Sequence, residues 1–383
     1  MLKRISSLFI VLCTVKAESF VEGQIALKNS IILEEEILRA EGPLLFSNRR
    51  IYKLNGEPSF GEVNLKKMQA HVLKERFLVV VTWAGESGEE ADSIITVYDL
   101  KTGRRKENRL IKNAFFPVAI YEYSLFDAFQ KTTRSVELKK IIVNPKSLHV
   151  SLKKYSIEFN LKIESMFLEP STTDSYFLFE DENTEGKRLV VLDLVQEKLT
   201  WLSPYKSDFE FHNLYNGSVL YQSKQPSQGK VILHDLKSTD SGALEGADDN
   251  MLRNPTFIAD HLLYDSVSEG SPSLTKVCVY SVKEKKEIAR IENASFVAAT
   301  ASVDCLFILC ERFLKKGQRV RSEKRLVVFN TKAGKVECET VLSSLAWYPQ
   351  VDRKFFVHQV NGKLYYVVSS KGKTKVQELV FKK

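Results

Sequence analysis

Histidine, cysteine and paired acidic residues most often carry catalysis or bind metals, and in this sequence they are scattered. The six histidines form no H-x-x-x-H or H-E-x-x-H pair, and the five cysteines form no C-x-x-C pair. The sequence also lacks the G-x-S-x-G, G-x-x-x-x-G-K-[ST] and G-x-G-x-x-G motifs of hydrolases and nucleotide-binding proteins. We therefore predict no metal site and no cofactor, and expect a protein that is not an enzyme.

Positive charge, by contrast, does cluster. The 383 residues include 56 lysines and arginines against 48 acidic residues, a formal net charge of +8. Basic side chains gathered on one rim would attract a phosphate backbone through counterion release, without base specificity. The same residues would also suit a solvated surface. The candidate nucleic-acid or ribosome contacts are Arg104, Arg105, Lys106, Lys139, Lys140, Lys153, Lys154, Lys283, Lys285, Lys286, Lys315, Lys316, Arg319 and Arg321.

These basic residues belong to a repeated unit. Strand-like segments end in Asp, Asn, Ser or Val at intervals of 42 to 50 residues, at Asp99, Asn144, Asp193, Asp235, Ser281, Asn330 and Val380. A second apolar strand precedes each of these segments, and a tight turn with a polar outer strand follows most of them. Repeats of 40 to 50 residues are typical of β-propeller blades.

The turn after the third strand explains the recurring Asp or Asn. In "YDLKTG", Asp99 can accept hydrogen bonds from its own turn, and Gly103 can adopt the positive φ that a short hairpin loop requires. Asn330 and Gly334 repeat this chemistry in "NTKAG". Turn capping therefore accounts for these side chains without a catalytic role.

The predicted fold is all-β, a single β-propeller over residues 41–383, with seven blades and with eight or nine as alternatives. The last unit ends after its third strand, so we expect an N-terminal strand from residues 49–65 to complete it and remove an open edge. Residues 1–40 are predicted to be an extension. The six basic residues between Lys315 and Arg325 are placed in a long loop of the sixth unit.

One family shares the first part of this pattern. Residues 42–60, "GPLLFSNRRIYKLNGEPSF", resemble the start of the eukaryotic translation initiation factor 2A family. The matching positions are Tyr52, Asn55, Gly56, Pro58 and Phe60. Residues 77–103 are similar to that family's strand, Thr-Trp, polar loop and Tyr-Asp-x-Lys-Thr-Gly unit, whereas beyond residue 103 the likeness is architectural.

The resemblance implies a cytoplasmic factor without enzymatic activity. It would bind the small ribosomal subunit, help to place initiator tRNA, contact other initiation factors and have no membrane span. The family's propeller has nine blades and a Lys-rich tail; this chain departs from that pattern, so the resemblance does not imply tRNA contact through such a tail.

The alternative is a secreted or endoplasmic-reticulum-lumen propeller that binds a protein or glycan. Residues 1–17 have the basic and apolar regions of a secretory signal, and Asn216 and Asn293 each begin an N-glycosylation triplet. Four of the five cysteines lie in the C-terminal part of the chain, mostly within apolar runs, where free thiols suit a reducing compartment instead. The sequence leaves both locations open.

Overall fold

The computed structural model of the chain is all-β, with no helix in the residues that it describes. These are residues 25–59, 68–84, 91–117, 119–158, 162–167, 174–181, 186–193, 198–205, 209–215, 218–223, 231–235, 241–243, 250–268, 275–316, 319–346, 353–370 and 372–381.

The described residues form 31 strands. Those of the first half are β1 (Ile25–Leu33), β2 (Ile37–Glu41), β3 (Leu44–Ser47), β4 (Ile51–Lys53), β5 (Met68–Leu73), β6 (Phe77–Ala84), β7 (Asp92–Asp99), β8 (Arg105–Leu110), β9 (Ala119–Tyr121), β10 (Ser124–Thr132), β11 (Ser135–Val143), β12 (Val150–Glu158), β13 (Lys162–Phe167), β14 (Asp174–Asp181), β15 (Gly186–Asp193) and β16 (Lys198–Tyr205). Those of the second half are β17 (Phe209–Tyr215), β18 (Ser218–Ser223), β19 (Val231–Asp235), β20 (Ser241–Ala243), β21 (Asn250–Ile258), β22 (His261–Ser268), β23 (Thr275–Ser281), β24 (Lys286–Ile291), β25 (Ser295–Ala301), β26 (Cys305–Lys316), β27 (Arg319–Asn330), β28 (Lys335–Ala346), β29 (Arg353–Val360), β30 (Lys363–Ser370) and β31 (Lys373–Phe381).

The strands form seven antiparallel sheets of four strands and one of three within the described part of the chain. Six of the four-stranded sheets are meanders of consecutive strands, such as β5–β6–β7–β8. This meander is the blade of β-propellers. The predicted all-β class with a propeller repeat is therefore confirmed. The described residues form eight sheets, one of which consists of β2, β3 and β4 alone. The sequence predicted seven blades, with eight or nine as alternatives.

Two compact units divide the chain. The middle unit is Glu35–Pro255, and the terminal unit combines Met1–Glu34 with Thr256–Lys383. In the middle unit, Val79, Val97 and Phe115 pack with Leu125 and Ile141 in a core that joins the sheets β5–β8 and β9–β12. Every second residue of β7 is buried, so one face of this strand points into the core.

In the terminal unit, the sheet β25–β28 contributes to two cores. Val279 and Ile308 belong to the core shared with the sheet β21–β24. Leu309 and Tyr366 belong to the core shared with the last sheet. Successive sheets thus bury apolar faces against each other, and each fully buried aliphatic side chain contributes about 1.5–3 kcal/mol.

The last sheet contains both the first and the last strand of the described residues. β1 pairs antiparallel with β31, with Ile25 opposite Phe381 and Leu33 opposite Thr374, so its order is β1–β31–β30–β29. An N-terminal strand does complete the final unit, but its predicted source in residues 49–65 was wrong. Residues 51–53 pair with β3 instead, and Tyr52 bridges to Pro58.

Residues 1–40 were predicted to be an extension. Within that range, β1 and β2 belong to sheets, whereas residues 1–24, which include the signal-like stretch, lie outside the described residues.

The repeated turn positions are confirmed. β7, β15, β19, β23 and β27 end at the predicted Asp99, Asp193, Asp235, Ser281 and Asn330. Four residues after the end position, the backbone has a positive φ in four different sheets. These residues are Gly103 (71°), Leu148 (58°), Lys285 (54°) and Gly334 (63°).

Candidate nucleic-acid interface

Asp99 organises the turn from which the basic strand β8 begins. Its carboxylate accepts hydrogen bonds from the Lys101 backbone N–H at 3.0 Å and from the Thr102 hydroxyl at 2.8 Å. Arg76, in the turn between β5 and β6, donates from Nε and Nη2 to the two carboxylate oxygens at 3.0 and 2.8 Å. A bidentate, charge-assisted pair of this kind fixes orientation as well as adding energy.

The same contacts explain the ionisation of Asp99. Hydrogen bonds from Arg76 hold the pKa of this carboxyl well below its usual range, against the opposing effect of burial. Because Asp99 is paired with Arg76, its carboxylate does not offset the basic charge that follows it along the chain.

β8 is the outer strand of its sheet, so one of its edges carries no sheet partner in the described residues. The segment 104–112, "RRKENRLIK", has five basic residues and one acidic residue. The basic residues are Arg104, Arg105, Lys106, Arg109 and Lys112, and all five are exposed. We call these five residues the β8 basic edge.

Asp92 fixes the far end of the β8 basic edge. Its carboxylate accepts from Arg109 Nε and Nη2 at 3.0 and 2.6 Å and from the Lys112 backbone N–H at 2.8 Å. The Arg109 side chain nevertheless remains 61% exposed. Part of its guanidinium is therefore open to an anionic ligand.

The next sheet adds basic residues beside the β8 basic edge. Arg104 Nη2 donates to the Lys146 carbonyl at 3.1 Å, which places the β7–β8 turn against the β11–β12 turn. Lys146 is exposed, and so are Lys153 and Lys154 on β12, the outer strand of that sheet. The structure thus groups five of the predicted residues on two outer strands and the turn before one of them: Arg104 in the β7–β8 turn, Arg105 and Lys106 on β8, and Lys153 and Lys154 on β12.

Lys139 and Lys140 were predicted to flank a hairpin with the exposed set. They lie inside β11, and Lys139 is only 4% exposed. Its Nζ donates to the Ala114 carbonyl at 2.6 Å and lies 4.8 Å from the centroid of the Phe129 ring. Lys140 is half-buried, with its Nζ 5.2 Å from the Phe126 centroid. The prediction that Lys139 contacts nucleic acid is therefore corrected, because its ammonium group is buried and binds groups inside the protein.

In the terminal unit, Lys283, Lys285 and Lys286 lie at the β23–β24 turn and are exposed. Lys286 Nζ is 3.0 Å from Glu284 Oε2. This turn therefore pairs part of its positive charge locally.

Lys315, Lys316, Arg319 and Arg321 were predicted to lie in a long loop, and this was wrong. Lys315 and Lys316 end the 12-residue strand β26, and Arg319 and Arg321 begin the 12-residue strand β27. Opposite charges face each other across the hairpin, since Glu311 is in register with Lys324 and Arg312 with Glu323. Such pairs stabilise a sheet, which explains why polar residues continue the strands here.

Clusters of metal-binding side chains are absent from the part of the chain that the structure describes. No three His, Cys, Asp or Glu side chains there are grouped to hold a metal ion. The cysteines there are free, and burial raises the pKa of the Cys278 thiol to about 12 and that of Cys305 to about 11. Such thiols are poor nucleophiles at neutral pH.

Sequence reasoning missed Arg109, Lys112 and Lys146. Lys146 could have been found, because it follows Asn144 by two residues as Lys101 follows Asp99. Arg109 and Lys112 carry no motif, and their role depends on knowing that β8 is an outer strand. Among the described residues there is also no helix with the length and apolarity needed to cross a membrane.

Comparison with known proteins gives likeness of fold at low identity. No family model matches the chain, and no curated protein matches it. The WD40 repeats of RRP9 align with 82% of this chain and 100% of their own, at 10% identity and a TM-score of 0.35. The β-propeller domain of the trilobed protease from Pyrococcus furiosus aligns with 82% of this chain and 93% of its own, at 10% identity and a TM-score of 0.40. A prolyl endopeptidase aligns with 88% of this chain but 53% of its own length, at 9% identity and a TM-score of 0.45.

Proposed function

We propose that this protein is a non-enzymatic, cytoplasmic translation initiation factor that binds RNA of the small ribosomal subunit and assists initiator tRNA placement. The observation that carries the proposal is the β8 basic edge, whose five exposed cations lie on one outer strand and in the turns at its two ends. The likeness of residues 42–60 and 77–103 to the initiation factor 2A family supplies the ribosomal partner. Other initiation factors are further candidate partners.

The chemistry of the β8 basic edge suits a phosphate backbone. Basic side chains along one strand match a linear polyanion, and binding releases counterions from it. The Asp99 turn and the Asp92 contacts hold both ends of the edge in place, which lowers the entropy lost on binding. Charge contacts of this kind position RNA without reading its sequence.

Sedimentation of a cell lysate tests the proposal. The protein is expected to comigrate with small ribosomal subunits at low salt and to leave them at high salt. The paired variant Arg105→Glu with Lys106→Glu should lose comigration. The matched control is Lys332→Glu with Lys335→Glu, the same charge change at the equivalent β27–β28 turn, and it should retain comigration. Wild-type protein absent from the ribosomal fractions at low salt would refute the proposal.

A second candidate function is a secreted or endoplasmic-reticulum-lumen module that binds a protein or glycan. The observation that favours it is Asn293, which is exposed in the turn before β25 and begins the triplet Asn293-Ala294-Ser295. N-terminal sequencing and glycosidase treatment of the native protein test this. Loss of residues 1–17 with a mobility shift would support it, and an intact Met1 with no shift would exclude it.

A further inference from the structure

An exposed aromatic residue lies at the end of the β8 basic edge. Phe116, in the loop between β8 and β9, is 44% exposed, and its ring stacks on Trp83 with the centroids 4.8 Å apart and the planes 22° apart. Exposed large aromatic side chains on a fixed scaffold are typical of binding sites.

Side chains from four strands hold the loop that presents Phe116. Three contacts fix the residues before it, since Trp83 Nε1 donates to the Phe115 carbonyl at 2.9 Å, the Phe115 N–H donates to Ser93 Oγ at 2.9 Å, and Lys139 Nζ donates to the Ala114 carbonyl. The Phe116 N–H itself donates to the buried Asp127 carboxylate. These bonds anchor the backbone on both sides of the Phe115–Phe116 peptide, while the Phe116 side chain remains partly exposed.

The charge around Phe116 identifies the class of ligand. Lys112 and Arg109 lie at the same end of the sheet as Trp83, because Ala84 and Asp92 are in register and Asp92 binds both basic residues. One face of the Phe116 ring is covered by Trp83. The combination of a partly exposed aromatic ring with exposed cations complements a planar base attached to a phosphate.

We propose that Phe116, supported by Trp83, is a stacking platform for an unpaired base of single-stranded RNA whose phosphates run along the β8 basic edge. This deepens the proposed function, on which it rests, because it adds a contact to the bases. Stacking on an aromatic ring is tolerant of sequence, since every base has a π-face. It distinguishes single strands, whose bases are accessible, from duplexes.

Two oligonucleotides of equal charge separate stacking from phosphate binding. Fluorescence anisotropy with the full chain compares a ten-nucleotide oligoadenylate with an abasic ten-mer. Phe116→Ala should weaken oligoadenylate binding about tenfold and leave abasic binding unchanged. Phe116→Tyr should bind as wild type, and Phe116→Leu should behave as the alanine variant.

Trp83 supplies a second readout. In a Trp201→Phe, Trp347→Phe background, Trp83 is the single tryptophan, because the chain has three. Oligoadenylate should quench its emission and the abasic ten-mer should not.

The outcomes of this experiment are distinct. Equal affinity of wild type for both ten-mers, or an equal loss for both in Phe116→Ala, overturns the stacking inference and leaves the proposed function standing. Binding of neither ten-mer defeats both proposals. Unchanged oligoadenylate binding in Phe116→Ala, with loss of a protein partner, assigns the ring to a protein interface and also overturns the inference.

Discussion

The side chain of Asn108 and the backbone of Val150 form one half of a two-bond link between neighbouring sheets. The Val150 N–H donates to Asn108 Oδ1 at 3.1 Å, and Asn108 Nδ2 donates to the Leu148 carbonyl at 3.2 Å. Asn108 is buried on β8. Its side-chain amide both donates to and accepts from the backbone of the next sheet, as a backbone amide does between paired strands. The link positions the outer strands that carry the exposed basic residues.

Replacing Asn108 by Leu should lower the free energy of unfolding by about 2–4 kcal/mol, because two buried backbone groups lose their partners. Urea unfolding at pH 7 measures this. The control is Arg104→Ala, which removes the exposed hydrogen bond to Lys146 in the same pair of turns and should cost at most about 0.5 kcal/mol. Similar decreases in the free energy of unfolding in both variants would contradict the expectation that the buried hydrogen bonds of Asn108 stabilise the protein more than the exposed one of Arg104.

Gly42 is required for two reasons, its φ of 50° and its close approach to β5. A Cβ there would lie 2.9 Å from Val72 Cγ1 and 3.3 Å from the Glu75 Cα. Gly42→Ala should therefore destabilise by about 2–4 kcal/mol, combining backbone strain with overpacking. Gly103→Ala, whose Cβ meets nothing within 4 Å, should cost about 1–2 kcal/mol from strain alone. Thermal unfolding should show a larger loss of stability for Gly42→Ala than for Gly103→Ala. An equal or smaller loss for Gly42→Ala would mean that Val72 and Glu75 move aside at little cost.

Lys285 occupies the glycine position of its turn with a φ of 54°. Lys285→Gly should raise the free energy of unfolding by about 0.5–1 kcal/mol, because relief of strain exceeds the entropy cost of glycine. Leu148→Gly at the equivalent position should lower it by about 2–4 kcal/mol, since Leu148 is buried. Chemical unfolding of both variants measures this, and destabilisation by Lys285→Gly would disprove strain at that turn.

The repeat could be predicted because its turns have a local chemistry. Asp99, Asn144 and Asn330 each accept a hydrogen bond from the backbone N–H two residues later, and the two asparagines also accept one from the N–H three residues later, so sequence alone locates these turns. The pairing of β1 and the burial of Lys139, by contrast, depend on contacts between residues that are distant in sequence. β1 pairs with β31, and Lys139 reaches the Ala114 carbonyl, and neither relationship leaves a local pattern.

Only part of the candidate site followed from sequence. Arg104 to Lys106 could be predicted from their position after a turn, whereas Arg109 and Lys112 required the identity of the outer strand. Phe116 resembles any core aromatic in sequence, and its exposure results from the hydrogen bonds of its loop. The translational role and the cytoplasmic location stay predictions.

Asp127 should make stability depend on pH. Burial raises its pKa to about 6, although the Phe116 N–H and nearby Lys139 act to lower it and Glu137 acts with burial. The folded state therefore holds this proton more tightly than the unfolded state, and its stabilising effect is lost as pH rises from about 4 through 6. The variant Asp127→Asn keeps an acceptor for the Phe116 N–H. Relative to this variant, the free energy of unfolding of the wild type should fall by about 2 kcal/mol as pH rises from about 4 to 6. Urea unfolding at several pH values tests it, and parallel profiles would show that Asp127 does not titrate in this range.

His71 should act in the opposite direction over nearly the same window. Its ring nitrogens have no hydrogen-bond partner among the described residues, and the side chain is 7% exposed. Burial, with a smaller effect from Arg39, lowers its pKa to about 4. The folded state thus resists protonation, and the stability that the neutral ring provides is lost as pH falls from 6.5 to 4. At pH 5 the free energy of unfolding of the wild type should be about 2 kcal/mol lower than it would be with a residue at position 71 that does not titrate.

His71→Phe isolates this effect because it keeps an aromatic ring and removes the titration. Its advantage over wild type in urea unfolding should grow as pH falls from 7 to 5. A constant difference would place the imidazole in contact with a group that shields its charge. In the wild type, the opposing slopes of His71 and Asp127 should partly cancel, so the summed contribution of these two residues to stability should change little between pH 4 and 6. Each slope should appear only when the other residue is replaced.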